Sequence, residues 1–175
     1  MKVKSKKLKN KSGMTLFIAI VIMSVLLFVS FAAINIAIKG TLFASSGRDS
    51  QQAFYAADSG IECALYWDSK PVTGSAFATS TSGSPINCGG SSIANGQQIS
   101  GTSTGITNFI GGGGSANPTS VFGFVMNQGI NPVNYCAIVT VTKNTNGTTY
   151  IKSRGYNTCD TTNGRRVERG LEVTY

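Results

Sequence analysis

The 175 residues carry 15 Lys and Arg, 7 Asp and Glu, four Cys and no His, enough chain for one domain of ordinary size. Six of the cations (Lys2, Lys4, Lys6, Lys7, Lys9 and Lys11) crowd into the first eleven residues, so beyond Gly13 nine cations face seven anions. The basic balance therefore describes a leader and not a nucleic-acid-binding domain. With no imidazole base and with its acids scattered, the chain has few members for hydrolase or metal constellations, and an enzyme is disfavoured.

Residues 14–38 contain no charge, proline or glycine, and only Thr15, Ser24, Ser30 and Asn35 interrupt the apolar run. As a helix this run extends roughly 37 Å at ~1.5 Å per residue, against a hydrocarbon core of about 30 Å. Basic residues immediately before it place the N-terminus in the cytoplasm and everything after Lys39 outside, so the predicted topology is single-pass. A cleaved secretory signal would need a shorter run; Ser30-Phe31-Ala32 fits its small-x-small cleavage pattern only by force. A plain uncleaved anchor explains charge and length but not the flanking residues.

Those flanking residues are Lys11-Ser12-Gly13-Met14-Thr15-Leu16, a basic leader that ends in glycine directly before the apolar run. Here the chain resembles the type IV pilins and pilin-like proteins. The resemblance implies cleavage after Gly13 by a membrane prepilin peptidase and methylation of the new amino terminus at Met14, with Thr15 and Leu16 completing the processing site. Glycine suits such a cut because its bare backbone can lie close to catalytic groups. Major pilins carry a glutamate five residues into the mature chain; this position is Ile18, and no acid occurs in 14–38. That departure points to a minor subunit.

Beyond Lys39, residues Phe54, Ala57, Ile61 and Ala64 recur at helical spacing among Arg48, Asp49, Gln51, Gln52 and Asp58, the pattern of an amphipathic helix. Residues 52–62 also resemble the corresponding stretch of minor-pilin N-terminal regions. One helix from Met14 to Asp68 is expected. Gly40, Gly47 and Gly60 each weaken it by up to about 1 kcal/mol, and Ser45-Ser46-Gly47 is where two shorter helices would separate.

Residues 71–118 turn to Ser, Thr, Gly and Asn, with Phe77, Ile86, Ile93, Ile99, Ile106, Phe109 and Ile110 as the main large apolar residues. So long a connection is expected to hold short strands, a stapled loop or a functional surface. Its glycine run lacks the Gly-Lys-Ser/Thr of a phosphate loop. Strands are predicted at 136–143 and 148–156 around an Asn146-Gly147 hairpin turn, and at 120–126. A last strand alternates Val167, Arg169, Leu171, Val173 and Tyr175, turned toward the helix, with polar residues. The expected fold is α+β and pilin-like: one long N-terminal helix packed on a small antiparallel sheet. Its divisions are a leader (1–13), an assembly half-helix (14–38), an amphipathic half-helix (39–70) and an extracellular head (71–175).

Cys63, Cys88, Cys136 and Cys159 all follow the apolar run without zinc-type CxxC pairs, so disulfides are expected. Of the three possible pairings, Cys63–Cys88 and Cys136–Cys159 close sequence-local loops. Lys152, Arg154, Arg165, Arg166 and Arg169 raise a nucleic-acid role, but Glu168 and Glu172 lie among them, and a solvated sheet face ranks first. Asp160-Thr161-Thr162-Asn163-Gly164 offers a calcium ion one carboxylate and reads as a turn. Asn146-Gly147-Thr148 fits a glycosylation sequon that the turn itself accounts for. No cofactor or metal is expected.

The resemblance implies a subunit of a type IV pilus or related filament, acting in pilus biogenesis and surface interaction. Its implied partners are the prepilin peptidase, other pilin subunits, the pilus assembly machinery and the inner membrane, and its final location is the pilus and cell surface. A membrane-anchored extracellular binding protein that does not polymerise is the alternative.

Overall fold

The computed structural model describes residues 12–70, 74–78, 83–99, 101–102, 106–112, 116–127 and 134–175. The chain divides into two compact units, Met1–Ser45 and Ser46–Tyr175. Helix α1, Ser12–Ser69, contributes to both. Helical structure continues through Ser45-Ser46-Gly47, so the two-helix alternative is not what forms. Part of the reason is local: the Thr41 and Ser45 hydroxyls donate to the Ile38 and Leu42 carbonyls at 2.8 and 3.0 Å, leaving neither side chain to compete for a different backbone geometry.

In the second unit, strands β1 (Ile86–Cys88) and β2 (Ser91–Ile93) form a small hairpin. Its two loop residues, Gly89 and Gly90, have φ of 58° and 80°, as a tight primed turn requires. Strands β3 (Thr119–Asn127), β4 (Asn134–Lys143), β5 (Thr149–Tyr156) and β6 (Glu168–Thr174) make an antiparallel sheet in that order. Lys143 pairs with Thr149, and Asn144 N–H donates to the Thr148 carbonyl at 2.9 Å. The Asn146-Gly147 turn is thus a three-residue loop, with only Gly147, at φ 88°, in the left-handed region.

Register places Phe122, Val139, Ser153 and Leu171 across one face of the sheet. On this face lies the core, where Ile61 and Ala64 of α1 meet Phe122, Val139, Val141 and Ile151. Phe77 stacks on Phe122 with ring centres 5.7 Å apart. The Ser/Gly-rich connection is therefore far from structureless: Phe77, Ile86, Ile93, Ile99 and Ile110 are all buried, whereas Ile106 and Phe109 are exposed. Polar contacts hold Asn108 and Phe109 to the β3 edge and tie Asn95 to Ile110. Phe109 and Val121 exchange backbone hydrogen bonds at 2.7 and 2.8 Å, Asn108 Oδ1 accepts from Gly123 N–H at 2.9 Å, and Asn95 Oδ1 accepts from Ile110 N–H at 2.6 Å.

The helix face that meets the sheet consists of Ala53, Ala56, Ala57, Gly60, Ile61 and Ala64. Phe54, expected on this face by its spacing, is instead 46 % exposed. The reason is separation: a Cβ on Gly155 of β5 would lie 2.1 Å from the Ala53 carbonyl oxygen and 2.2 Å from the Ala57 nitrogen. Helix backbone and sheet backbone are in direct contact there, and no phenylalanine fits between them. Gly60 makes the reciprocal approach, its missing Cβ falling 2.1 Å from Ser153 Oγ.

At its C-terminal end α1 presents Asp68, whose side chain is 4 % exposed. Lys143 Nζ and the Tyr175 hydroxyl both donate to its Oδ2 at 2.5 Å, and the Ser75 hydroxyl donates to Oδ1. One carboxylate thus joins the helix, the start of the connection, β4 and the residue after β6. Burial pushes the Asp68 carboxyl upward, but the hydrogen bonds from Lys143, Ser75 and Tyr175, with the charge of Lys143, outweigh it and hold the group below its ordinary value.

Two outcomes follow. Gly155→Ala must push helix from sheet and should cost about 3 kcal/mol in urea unfolding; Gly60→Ala should cost less, and Ser153→Ala should recover part of the loss because it removes the nearest obstructing atom. Asp68→Asn should lower stability at pH 7 by about 2 kcal/mol. Because the folded pKa is depressed, this contribution is complete above the unfolded carboxylate value of about 3.9 and disappears as pH falls through the lower folded value. The wild-type and variant unfolding curves should therefore converge in acid.

Candidate functional site

The described part of the first unit, from Ser12 on, is helix, and its large apolar side chains are exposed. Met14 is 72 % exposed, Leu16 65 % and Phe28 76 %, and the helix is long and apolar enough to cross a membrane. Its polar side chains turn back on their own backbone. The Ser24 and Ser30 hydroxyls donate to the Val21 and Leu26 carbonyls at 2.8 Å, and Asn35 Nδ2 donates to the Phe31 carbonyl at 3.0 Å. Such internal satisfaction is what a hydrocarbon solvent demands of a helix. Gly13, Met14, Thr15 and Leu16 stand in the first turns of α1, and beyond the adjacent helix backbone no described atom lies within 4 Å of the position a Gly13 Cβ would occupy. The leader lysines lie outside the described residues.

Both disulfides belong to the second unit. Cys63 of α1 bonds to Cys88 of β1, tying helix to hairpin, while Trp67 Nε1 donates to the neighbouring Asn87 carbonyl at 3.0 Å. Cys136 of β4 bonds to Cys159, which returns the segment before β6 to the sheet. These are the two sequence-local pairings.

The late basic residues do not form one patch. Lys152 pairs with Glu172 at 2.6 Å on the open sheet face. Arg166 stacks 3.8 Å above the Tyr156 ring and donates to the Gly101 carbonyl at 2.6 Å. Arg169 Nε donates to Ser50 Oγ of α1 at 2.8 Å, and Arg165 lies 3.5 Å from Asp49. Asp160 Oδ1 accepts from both the hydroxyl and the backbone N–H of Thr162, and these bonds hold its carboxyl below the ordinary value. The predicted turn forms around this carboxylate.

Arg165 and Asp49 border a polar cleft of about 450 Å³, which Arg48, Gln52, Asn134, Asn157, Asp160 and Asn163 also line. The Arg165 backbone is held at both ends: its N–H donates to Asn163 Oδ1 at 2.9 Å, and its carbonyl accepts from Asn157 Nδ2 at 3.2 Å, while its side chain is largely exposed. Asn157 Oδ1 in turn accepts from Val167 N–H at 2.7 Å. Local sequence pattern does not reveal this cleft, since its two walls, residues 48–52 and 134–165, lie more than 80 residues apart; the run of Asn and Asp around Cys159 is the local signal.

Residues 12–62 match the family model described as PilX N-terminal. Over this segment the chain is similar to the type IV pilin-like proteins. The match spans under a third of the residues and covers α1 from its first turn to Glu62, and it supports a type IV pilus minor pilin subunit. The same family is one of structural filament subunits and not of enzymes. No curated protein and no solved structure matches the chain. The matched segment thus includes the apolar run and most of the small-residue face that carries the sheet, all but Ala64.

Replacing Cys136 and Cys159 together by serine should remove about 3 kcal/mol of stability, measured by denaturant unfolding of the full chain in detergent. Protease nicking should then concentrate in 157–167, the segment the bond anchors.

Proposed function

We propose that this chain is a minor pilin, cut after Gly13, methylated at Met14 and assembled into a filament through residues 14–38. The observation that carries this reading is the exposed apolar segment at the start of a helix whose 12–62 stretch matches the PilX N-terminal family. The physical mechanism is exchange of partners. A helix with its backbone bonds and side-chain donors satisfied internally can leave lipid for neighbouring helices without exposing a polar group. The head, stapled by two disulfides, remains outside and takes part in pilus biogenesis and surface interaction.

Ile18 shapes that role. Without a carboxylate in the apolar segment, the subunit brings no intramembrane acid to a charge pair; its assembly relies on apolar packing and on contacts of the head. The lysine-rich leader sets the orientation before cleavage, N-terminus in the cytoplasm.

Intact-mass measurement of the protein co-expressed with a matching prepilin peptidase tests the reading. The expected product lacks residues 1–13 and carries one added methyl group, and Gly13→Ala abolishes both changes. A full-length product under conditions where a known prepilin is cut would instead leave an anchored binding protein that does not polymerise.

A further inference from the structure

The polar cleft beside α1 is unused by the reading above. Its charged lining is balanced, Arg48 and Arg165 against Asp49 and Asp160, and Gln52, Asn134, Asn157 and Asn163 supply amides of both donor and acceptor character. A net anion gains little from two cations offset by two carboxylates. A ligand carrying both signs is matched at each end: guanidinium groups bind phosphate oxygens through paired N–H donors, and carboxylate and amide oxygens accept from a primary ammonium. The asparagine bonds described above and the Cys136–Cys159 disulfide hold the backbone of the Arg165 segment in place, and the Arg165 guanidinium lies 3.5 Å from Asp49 across the cleft.

The source of such a ligand follows from the chain. Arg48 comes ten residues after Ile38, the last residue of the apolar run, so a subunit held in the bilayer by 14–38 keeps this cleft within reach of lipid headgroups. We infer that the cleft binds the phosphoethanolamine headgroup of phosphatidylethanolamine, the phosphate on Arg48 and Arg165 and the ammonium on Asp160. This inference rests on the membrane-inserted state of residues 14–38 and is independent of filament assembly.

The full chain reconstituted in nanodiscs of phosphatidylcholine with equal minor shares of phosphatidylethanolamine and phosphatidylglycerol, then extracted and analysed by native mass spectrometry, provides the test. One phosphatidylethanolamine per chain should be retained, enriched about tenfold over either other lipid, the ratio that one charge-assisted hydrogen bond supplies. Arg48→Gln with Arg165→Gln should reduce its retention to the bulk proportion. Asp160→Asn, which keeps an acceptor for Thr162, should shift retention toward phosphatidylglycerol. Lys152→Gln with Arg154→Gln, on the open sheet face, should change nothing. Equal retention of all three lipids, preference for phosphatidylglycerol in the unmodified chain, or indifference to the Arg48 and Arg165 changes would overturn the inference while leaving the pilin reading intact. Failure of the chain to enter nanodiscs would overturn both.

Discussion

The head depends on one close contact: β5 meets α1 with no side chain between them at Gly155, where helix backbone atoms fill the space of a Cβ. Alanines at 53, 56, 57 and 64 and a glycine at 60 make the matching helix face. Bringing the helix so near has consequences on both sides. Larger apolar groups such as Phe54 and Tyr55 are excluded from the interface and point outward. The remaining core volume lies further along the sheet, where Ile61 and the residues of the long connection, Phe77, Ile86, Ile93 and Ile110, fill it.

That arrangement explains why the head needs fasteners. A small-residue interface excludes water closely but buries modest apolar area, and the area removed from water sets the hydrophobic gain. Cross-links at several places compensate. Cys63–Cys88 fixes the hairpin to the helix, Cys136–Cys159 fixes the segment before β6, and Asp68 gathers Lys143, Ser75 and Tyr175 at the helix end. Disulfides supply such fastening wherever thiols are free to oxidise. The carboxylate is stable as an anion because each of its oxygens accepts hydrogen bonds.

The same helix faces two environments. Up to Ser45 its side chains are mostly apolar and exposed, and Ser24, Ser30 and Asn35 donate to carbonyls of their own helix; beyond Ser46 it is a component of a folded head. Continuity of α1 through Ser45-Ser46-Gly47 joins these roles in one element. A glycine in a helix lowers its intrinsic stability, yet Gly60 is required by the sheet beneath it. Propensity alone thus misjudges which glycines weaken the helix.

The apolar run and the four main strands were legible in the amino-acid order, because each depends on local pattern: length without charge, or alternation along a strand. The two disulfide pairs were also within reach, since both close short loops. Tertiary structure alone decided which helix face is buried, because spacing marks Phe54 and Ala57 alike, and only the backbone contact at Gly155 separates them. It also ordered the Ser/Gly-rich connection through Asn95 and Asn108, whose partners are backbone groups invisible to pattern. Finally it brought Arg48 and Asp49 to Asp160 and Arg165: sequence determines which charges exist, but only the docking of helix on sheet determines which of them meet.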